Sequence, residues 1–491
     1  MINRLKKIIY AGVAFITVAT QVMSTSATAF AAEVTREDIN AARMAMPASS
    51  NSIPGWPQAQ GIASESAVLM DADTGTILYN KNMDTIHFPA STTKIMTCLL
   101  AAENCSMDET VTFSKEAVFG IDRGSSNVGI DVGESITMEE AIYCVMLASA
   151  NEVAAAIAEH ISGSTEEFAK LMNKRAAELG CTNTHFMNAN GLPNDEHWTT
   201  AHDLALIARA FNNNETCVRI ASTSRYEVKA TATQPDTFVI PNHHGMYPGK
   251  DYAYDGVTWG KTGYTNVARS TLVTAAERNG MNLICVVMKA EPPAQYTDTA
   301  TLLDYGFDNF QKLNVADNDS SFSIDNSDFF DTDADIFGSS KAMLGLDPNG
   351  SVIIPNTASF SDLTYTINYE PESKNAIADI DYAYGDVYVG RTSLILTSSD
   401  TQSFSFGTAS VQGDDEPVVH SASANSVSAN SIIYVNVKYL WIAGIILGAL
   451  LLIIFILWLI FRHNHYANRR RKNILKHNRR YSSEFDDFDF K

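Results

Sequence analysis

Basic residues are scarce in this chain of 491: 35 lysines and arginines stand against 56 aspartates and glutamates, a net charge of −21 at pH 7. With the two termini set aside, about 22 basic residues face about 52 acidic ones, a balance near −30. So acidic a surface argues against nucleic acid as a partner. Cysteine is sparse too. Cys98, Cys105, Cys144, Cys181, Cys217 and Cys285 contain no CxxC spacing, and the flanks of Cys98, Cys144 and Cys285 are apolar, so buried free thiols are expected rather than disulfides. No Cys and His set has zinc-like spacing, because His243 and His244 lack a partner motif, and neither a metal nor a cofactor is expected. There is no internal repeat.

Charge is missing altogether from one long stretch. Residues 439–461, "YLWIAGIILGALLLIIFILWLIF", give roughly 23 uncharged positions, enough to cross a bilayer as a helix. Arg462, Arg469, Arg470, Arg471, Lys472, Lys476, Arg479 and Arg480 follow, and that positive excess places the tail, 462–491, in the cytoplasm. At the other end, Arg4, Lys6 and Lys7 precede an apolar run and the small-residue stretch Ala29-Phe30-Ala31, the order of a secretory signal ending near residue 32. The expected location is therefore a single-pass cell-membrane protein whose folded part is extracytoplasmic.

Between these ends the chain divides by composition. Residues 33–60 are rich in Ala, Ser, Pro and Asn and read as a linker. "AVLMDADTGTILYNKN" is two apolar runs around Asp73-Thr74-Gly75, a β-hairpin. Helical spacing then appears at 91–103, 138–147, 151–161, 166–179 and 202–211. Strands return after residue 254, with a hairpin turning at Arg278-Asn279-Gly280, and a helix is expected at 297–303. Strands, a helical block and strands again make an α+β domain over 61–311. Short β-like runs over 312–399 read as a small β-rich domain, and 400–437 as a Ser/Ala/Asn tether before the span at 438–461.

Three short patterns could carry chemistry. In "ASTTK" Ser91 precedes Lys94 by three residues; on a helix that spacing turns the chain by about 300° and raises it about 4.5 Å, so both side chains share a face. Ser91 is then either a helix cap beside a solvated lysine or a nucleophile beside its base, and the base requires a lysine pKa depressed by burial or a second cation. In "LASANEV" Ser149 and Asn151 open an Ala-rich helix, either as a cap or as a proton relay and an amide that holds a carbonyl. In "WGKTGYT" Lys261 and Thr262 suit a carboxylate and Gly263 permits close backbone approach, unless the segment is a turn with an exposed lysine.

Together and in this order, Ser-x-x-Lys, Ser-x-Asn and Lys-Thr-Gly form the signature of penicillin-recognising serine enzymes. Through "ASTTKIMT", "SANEVAAAIAEHISGS", "FAKLMNKRAAELGCTNTHFMNANGL", "WTTAHDLALIARA", "GKTGYT" and "LLDYGF" the chain resembles the D-alanyl-D-alanine carboxypeptidases, low-molecular-mass penicillin-binding proteins of peptidase family S11. The resemblance implies a β-lactamase/transpeptidase-like fold, an antiparallel sheet with a helical block. It also implies stem peptides ending in D-Ala-D-Ala as substrate and β-lactams as inhibitors. Ser91 is then the acyl-ester nucleophile, Lys94 its base, Ser149 the proton relay and Asn151 the substrate-orienting amide. Lys261, Thr262 and Gly263 become substrate-binding residues, with the oxyanion hole made by the backbone N–H groups of Ser91 and Tyr264.

Two departures stand out. Arg269 occupies a position where the family usually has glycine, and "MKAEPP" replaces a frequent Gly-Gly-Arg, so Arg269 receives no role from the resemblance. A class A-like β-lactamase would use the same three motifs, but the match beyond them, the β-rich domain and the anchor disfavour it. A non-catalytic peptidoglycan-binding or sensor protein is opposed by the intact Ser, Lys, Ser, Asn, Lys and Thr.

Overall fold

The structure is a computed structural model, and it describes residues 35–398 apart from 123, 231–236, 320, 323–341, 372 and 374. The expected signal, tether, membrane span and basic tail lie outside the described residues. Among the described residues no helix is long and apolar enough to cross a membrane.

The first elements lie within the stretch expected to be a linker. Helix α1 (Arg36–Met44) starts at a capping box in which Thr35 and Asp38 satisfy each other's backbone N–H, and Trp56 is 3% exposed. The linker reading of 33–60 gives way here: polar, Pro-rich composition hid a four-residue cap and a single aromatic anchor. Strands β1 (Ser66–Asp71) and β2 (Ile77–Lys81) form the expected hairpin. After a 3₁₀ turn at Ala90–Thr93 come α2 (Lys94–Asn104), β3 (Thr110–Thr112), α3 (Lys115–Phe119) and β4 (Ser135–Thr137). The helical block continues with α4 (Met138–Leu147), α5 (Asn151–Ser162), α6 (Thr165–Glu178), α7 (Ala201–Asn212) and α8 (Glu215–Ala221). A small hairpin, β5 (Arg225–Val228) and β6 (Phe238–Pro241), precedes β7 (Val257–Thr265), β8 (Arg269–Arg278), β9 (Met281–Ala290) and α9 (Ala294–Asn309).

The main sheet is antiparallel in the order β2-β1-β9-β8-β7, so β7 is an edge. Its inner strands β1, β9 and β8 are buried along nearly their whole length because both faces are covered. Along β9, Ile284, Val286 and Met288 enter the core shared with the helical block, while Leu283, Cys285 and Val287 enter a second core on the opposite face. In β1, Val68 and Met70 go one way, Ala67 and Leu69 the other, as the two-residue period of a strand requires.

The second core is closed by α9 and by another sheet. Strands β10 (Phe310–Asn314), β11 (Ala342–Leu346), β12 (Ser351–Pro355), β13 (Thr364–Asn368), β14 (Ala376–Tyr384) and β15 (Val387–Ser398) follow α9, with a short helix α10 (Val315–Asn318) after β10. They run in the order β10-β12-β15-β14-β13, with β11 paired to β15. Trp56 joins the two sheets: its Nε1–H donates to the Leu78 carbonyl at 2.8 Å, and its ring meets Phe310 edge-on at 5.1 Å and Tyr384 at 6.3 Å. All six cysteines are free; Cys98, Cys144, Cys217 and Cys285 are buried, whereas Cys105 and Cys181 are half-buried.

Candidate active site

Neither serine caps a helix. Ser91 lies inside the 3₁₀ turn, and α2 begins three residues later at Lys94. In a 3₁₀ turn positions i and i+3 eclipse one another, which sets Lys94 Nζ 3.0 Å from Ser91 Oγ. Ala90, just before, has φ +51°, a left-handed conformation that costs an alanine about 1 kcal/mol. Ser149 has φ +60°, and the cap position of α5 is Ala150. Two non-glycine residues held this way flank the same cleft, as stored strain at a working site does.

Lys94 is fully buried. Its Nζ lies 2.6 Å from Asn151 Oδ1 and 2.6 Å from the Asn190 carbonyl, in addition to Ser91. Burial pushes its pKa well below the usual lysine range, and the charge of Lys261 pushes it the same way. Both neighbouring carbonyls are neutral, so neither partner supplies the negative charge that would offset the burial. A neutral amine uses its two N–H groups on Asn151 and Asn190 and presents its lone pair to the Ser91 hydroxyl.

Lys261 is 2% exposed, not the solvated lysine of a turn. It donates to Ser149 Oγ at 3.1 Å and to the Thr262 carbonyl at 2.9 Å, and burial lowers its pKa to about 8. The arrangement is thus two buried lysines, each beside one serine. Thr262 is half-buried on the β7 edge, and Tyr264 is 53% exposed at its end. Gly263 lies so close to the nucleophile that a Cβ there would sit 2.3 Å from Thr271 Oγ1 and 3.0 Å from the Ser91 nitrogen. Thr271 also donates to the Pro89 carbonyl at 2.9 Å, tying β8 to the start of the 3₁₀ turn. All the residues singled out from the three motifs therefore converge on this end of β7.

Several residues around them were not visible as motifs. Asn190 owes its position to two side-chain turns, in which Asn188 Oδ1 accepts from the Gly191 N–H at 2.7 Å and Asn190 Oδ1 from the Leu192 N–H at 3.0 Å. That leaves the Asn190 carbonyl free for Lys94; the sequence signal was "NANGL", an Asn-Gly turn. His197 receives the Met187 N–H at Nδ1, so Nε2 carries the proton and donates to Thr93 Oγ1 at 2.9 Å. Burial drives its pKa down to about 3, and it stays a neutral brace. Glu152 accepts from the Val128 and Gly129 N–H groups at 2.6 and 3.2 Å, while Asn151 N–H donates to the Ser126 carbonyl, so the first turn of α5 also holds the preceding loop.

The two departures from the family pattern meet each other. Arg269 has φ +55°, the conformation for which glycine is suited, and its guanidinium grips Glu291 through Nε at 3.0 Å and Nη2 at 2.5 Å. Nη1 donates to the Tyr264 hydroxyl at 3.3 Å. Hydrogen bonding from Arg269 holds the Glu291 carboxyl below its usual range. Arg269→Gly is expected to lower stability by about 2 kcal/mol, between the values for exposed and buried pairs, by leaving Glu291 unpaired. Adding Glu291→Gln should restore most of it, because glycine relieves the backbone and the amide needs no cation; urea unfolding of the two variants measures both effects.

A sequence model of the family described as D-alanyl-D-alanine carboxypeptidase matches residues 54–292. D-alanyl-D-alanine carboxypeptidase DacF of Bacillus subtilis is 37% identical over 256 residues, 50% of this chain and 63% of that protein. D-alanyl-D-alanine carboxypeptidase DacB2 of Mycobacterium tuberculosis is 33% identical over 270 residues, 53% of this chain and 86% of that protein. The match thus spans less than two thirds of the first relative and most of the second. Among solved structures, the D-alanyl-D-alanine carboxypeptidase DacD of Francisella tularensis shares the fold at 24% identity and a TM-score of 0.52, covering 70% of this chain and 97% of that one.

Proposed function

The chain belongs to the D-alanyl-D-alanine carboxypeptidase family, peptidase family S11, and from that premise we propose that it is a serine-type carboxypeptidase of peptidoglycan. It removes the terminal D-alanine from stem peptides ending in D-Ala-D-Ala, which limits cross-linking, and it is acylated by β-lactams. The observation that carries this reading is the buried Lys94 amine 3.0 Å from Ser91 Oγ with only neutral carbonyls as its other partners.

The chemistry follows from that geometry. Ser91 Oγ attacks the carbonyl between the two terminal D-alanines as its proton passes to Lys94 Nζ. Backbone N–H groups of Ser91 and of Tyr264, on the exposed edge of the sheet, receive the oxyanion. As the C–N bond breaks, the proton that Lys94 took from Ser91 passes through Ser149 to the leaving amine, while Lys261 stays an ammonium 3.1 Å from Ser149 Oγ. Lys261 and Thr262 hold the terminal carboxylate, Asn151 orients the peptide, and water then hydrolyses the acyl-serine. The signal-like N-terminus, the uncharged segment 439–461 and the basic tail support a single-pass membrane protein with this site on the wall side.

The decisive experiment incubates the protein with a pentapeptide ending in D-Ala-D-Ala and assays free D-alanine. Wild type releases it and Ser91→Ala does not; equal release by the two would end the reading. Mass spectrometry after penicillin should find a long-lived adduct on Ser91, whereas rapid turnover would mark a β-lactamase. The pH profile of acylation is expected to be bell-shaped. Lys94 must be neutral, so the rate falls as pH drops through its depressed pKa; Lys261 must be charged to hold a carboxylate, so the rate falls again as pH rises through about 8.

A further inference from the structure

At the end of the helical block remote from Ser91, three side chains of different chemistry come together. Cys105 follows the last residue of α2, Glu109 lies in the turn before β3, and His160 is in the last turn of α5. One ligand atom from each, Cys105 Sγ, a Glu109 carboxylate oxygen and a His160 ring nitrogen, all lie within 4.8 Å of one another. His160 Nε2 is 2.9 Å from Glu109 Oε2, and the other oxygen of Glu109 accepts the Ser106 N–H at 2.6 Å, which fixes the carboxylate. No sequence spacing announces this set, because His160 is 55 positions from Cys105 and reaches it only through the packing of α5 on α2.

We propose that Cys105, Glu109 and His160 bind a divalent cation of the zinc class, with a fourth position left to water. A thiolate, a carboxylate and an imidazole are the donors that Zn²⁺ takes, whereas Mg²⁺ and Ca²⁺ want oxygen alone. Zn²⁺ with a thiolate, a carboxylate and a neutral imidazole sums to zero charge. Binding forms the Zn–S bond as the Cys105 thiol gives its proton to solvent. The field is favourable for an independent reason: α2 and α5 both end at the cluster, so two helix C-termini direct partial negative charge at it. His160 and Glu109 are 26% and 41% exposed in their side chains, so an ion has access from solvent. The widest of these separations needs to close by about an ångström to reach bond lengths of about 2.0–2.3 Å. The His160–Glu109 pair at 2.9 Å opens slightly as the ion replaces the proton between them, which the other ring nitrogen or solvent takes up.

The position gives the ion a purpose. The same two helices begin with Lys94 and Asn151, whose side chains meet at 2.6 Å. The ion joins them at the other end, about 16 Å away along α2. It is a clamp on the pair of helices that carries the base and its amide partner.

Co²⁺ is the probe, added to the full-length chain. Wild type should bind one equivalent with a near-ultraviolet thiolate-to-cobalt absorption that Zn²⁺ displaces, and Zn²⁺ should raise the midpoint of thermal unfolding. Cys105→Ser should abolish the absorption, and His160→Ala should weaken binding at least tenfold, while both variants unfold cooperatively near the metal-free wild-type midpoint. Cys181→Ser, at the other half-buried cysteine, should change nothing. No thiolate band in wild type, a band that survives Cys105→Ser, or an equal thermal response to Mg²⁺ would each overturn the proposal. None of these readouts depends on peptidase activity.

Discussion

Lys94→Arg is expected to slow acylation of Ser91 by penicillin about 100- to 10,000-fold, the range for removal of a general base, although the positive charge is kept. Charge is what the site works against. Lys94 has no exposed surface, and its partners Asn151 Oδ1 and the Asn190 carbonyl leave it without a counterion. A lysine in that position sheds a proton; an arginine, charged at every accessible pH, does not. The second-order rate constant of acylation measures the effect, with Ser91→Ala as the floor and thermal unfolding as the check on folding. Near-wild-type acylation of a folded Lys94→Arg protein would mean that some other group takes the Ser91 proton.

Gly191→Ala should be nearly as damaging without touching a reacting group. Gly191 has φ +82°, and a Cβ built on it would sit 1.8 Å from the Ala90 carbonyl oxygen and 2.9 Å from Thr93 Oγ1. The left-handed backbone costs an alanine about 1 kcal/mol and the overlap about 1–3 kcal/mol more. A loss of about 3 kcal/mol, or roughly 10 °C in the unfolding midpoint, is expected for a domain of this size. The overlap is with backbone, so Ala90 and the 3₁₀ turn must shift, taking Ser91 with them. Asn190, next in the chain, moves its carbonyl away from Lys94. Acylation should therefore fall at least a hundredfold even below the unfolding temperature; a variant that melts early yet acylates at the wild-type rate would show that Ser91 tolerates movement of its own turn.

What the sequence disclosed followed from period and spacing. The five longer helices of the central block, α2 and α4–α7, are where apolar spacing puts them to within a turn, because each buries one stripe against a common core, whereas the short α3 and α8 had too few turns to show a period. Hairpins with Gly turns were legible for the same local reason. The pair β5 and β6 was missed, since its strands have four residues each and only Val228 and Ile240 are buried. At the site, Ser91, Lys94, Ser149, Asn151 and Lys261 could be singled out by motif. Their partners could not: Asn190 works through a backbone carbonyl, His197 through a tautomer set by the Met187 N–H, and Glu291 through the arginine it neutralises. Contacts of that kind join residues far apart in sequence and require no characteristic residue type. The cluster of Cys105, Glu109 and His160 is the extreme case, since the expectation of no metal came from spacing alone and two of its members are joined only by helix packing.

The buried Trp56 also sets a timetable. Its ring is covered by Phe310 and Tyr384, the latter about 330 residues further along. An emerging chain can assemble the helical block around α2 and α5 early, but it has no ring to place over this tryptophan until β10 has been made and does not finish covering it until β14. The outer face of the main sheet is thus the last surface to be shielded, and until then its apolar side chains are open to any other chain passing through the same stage.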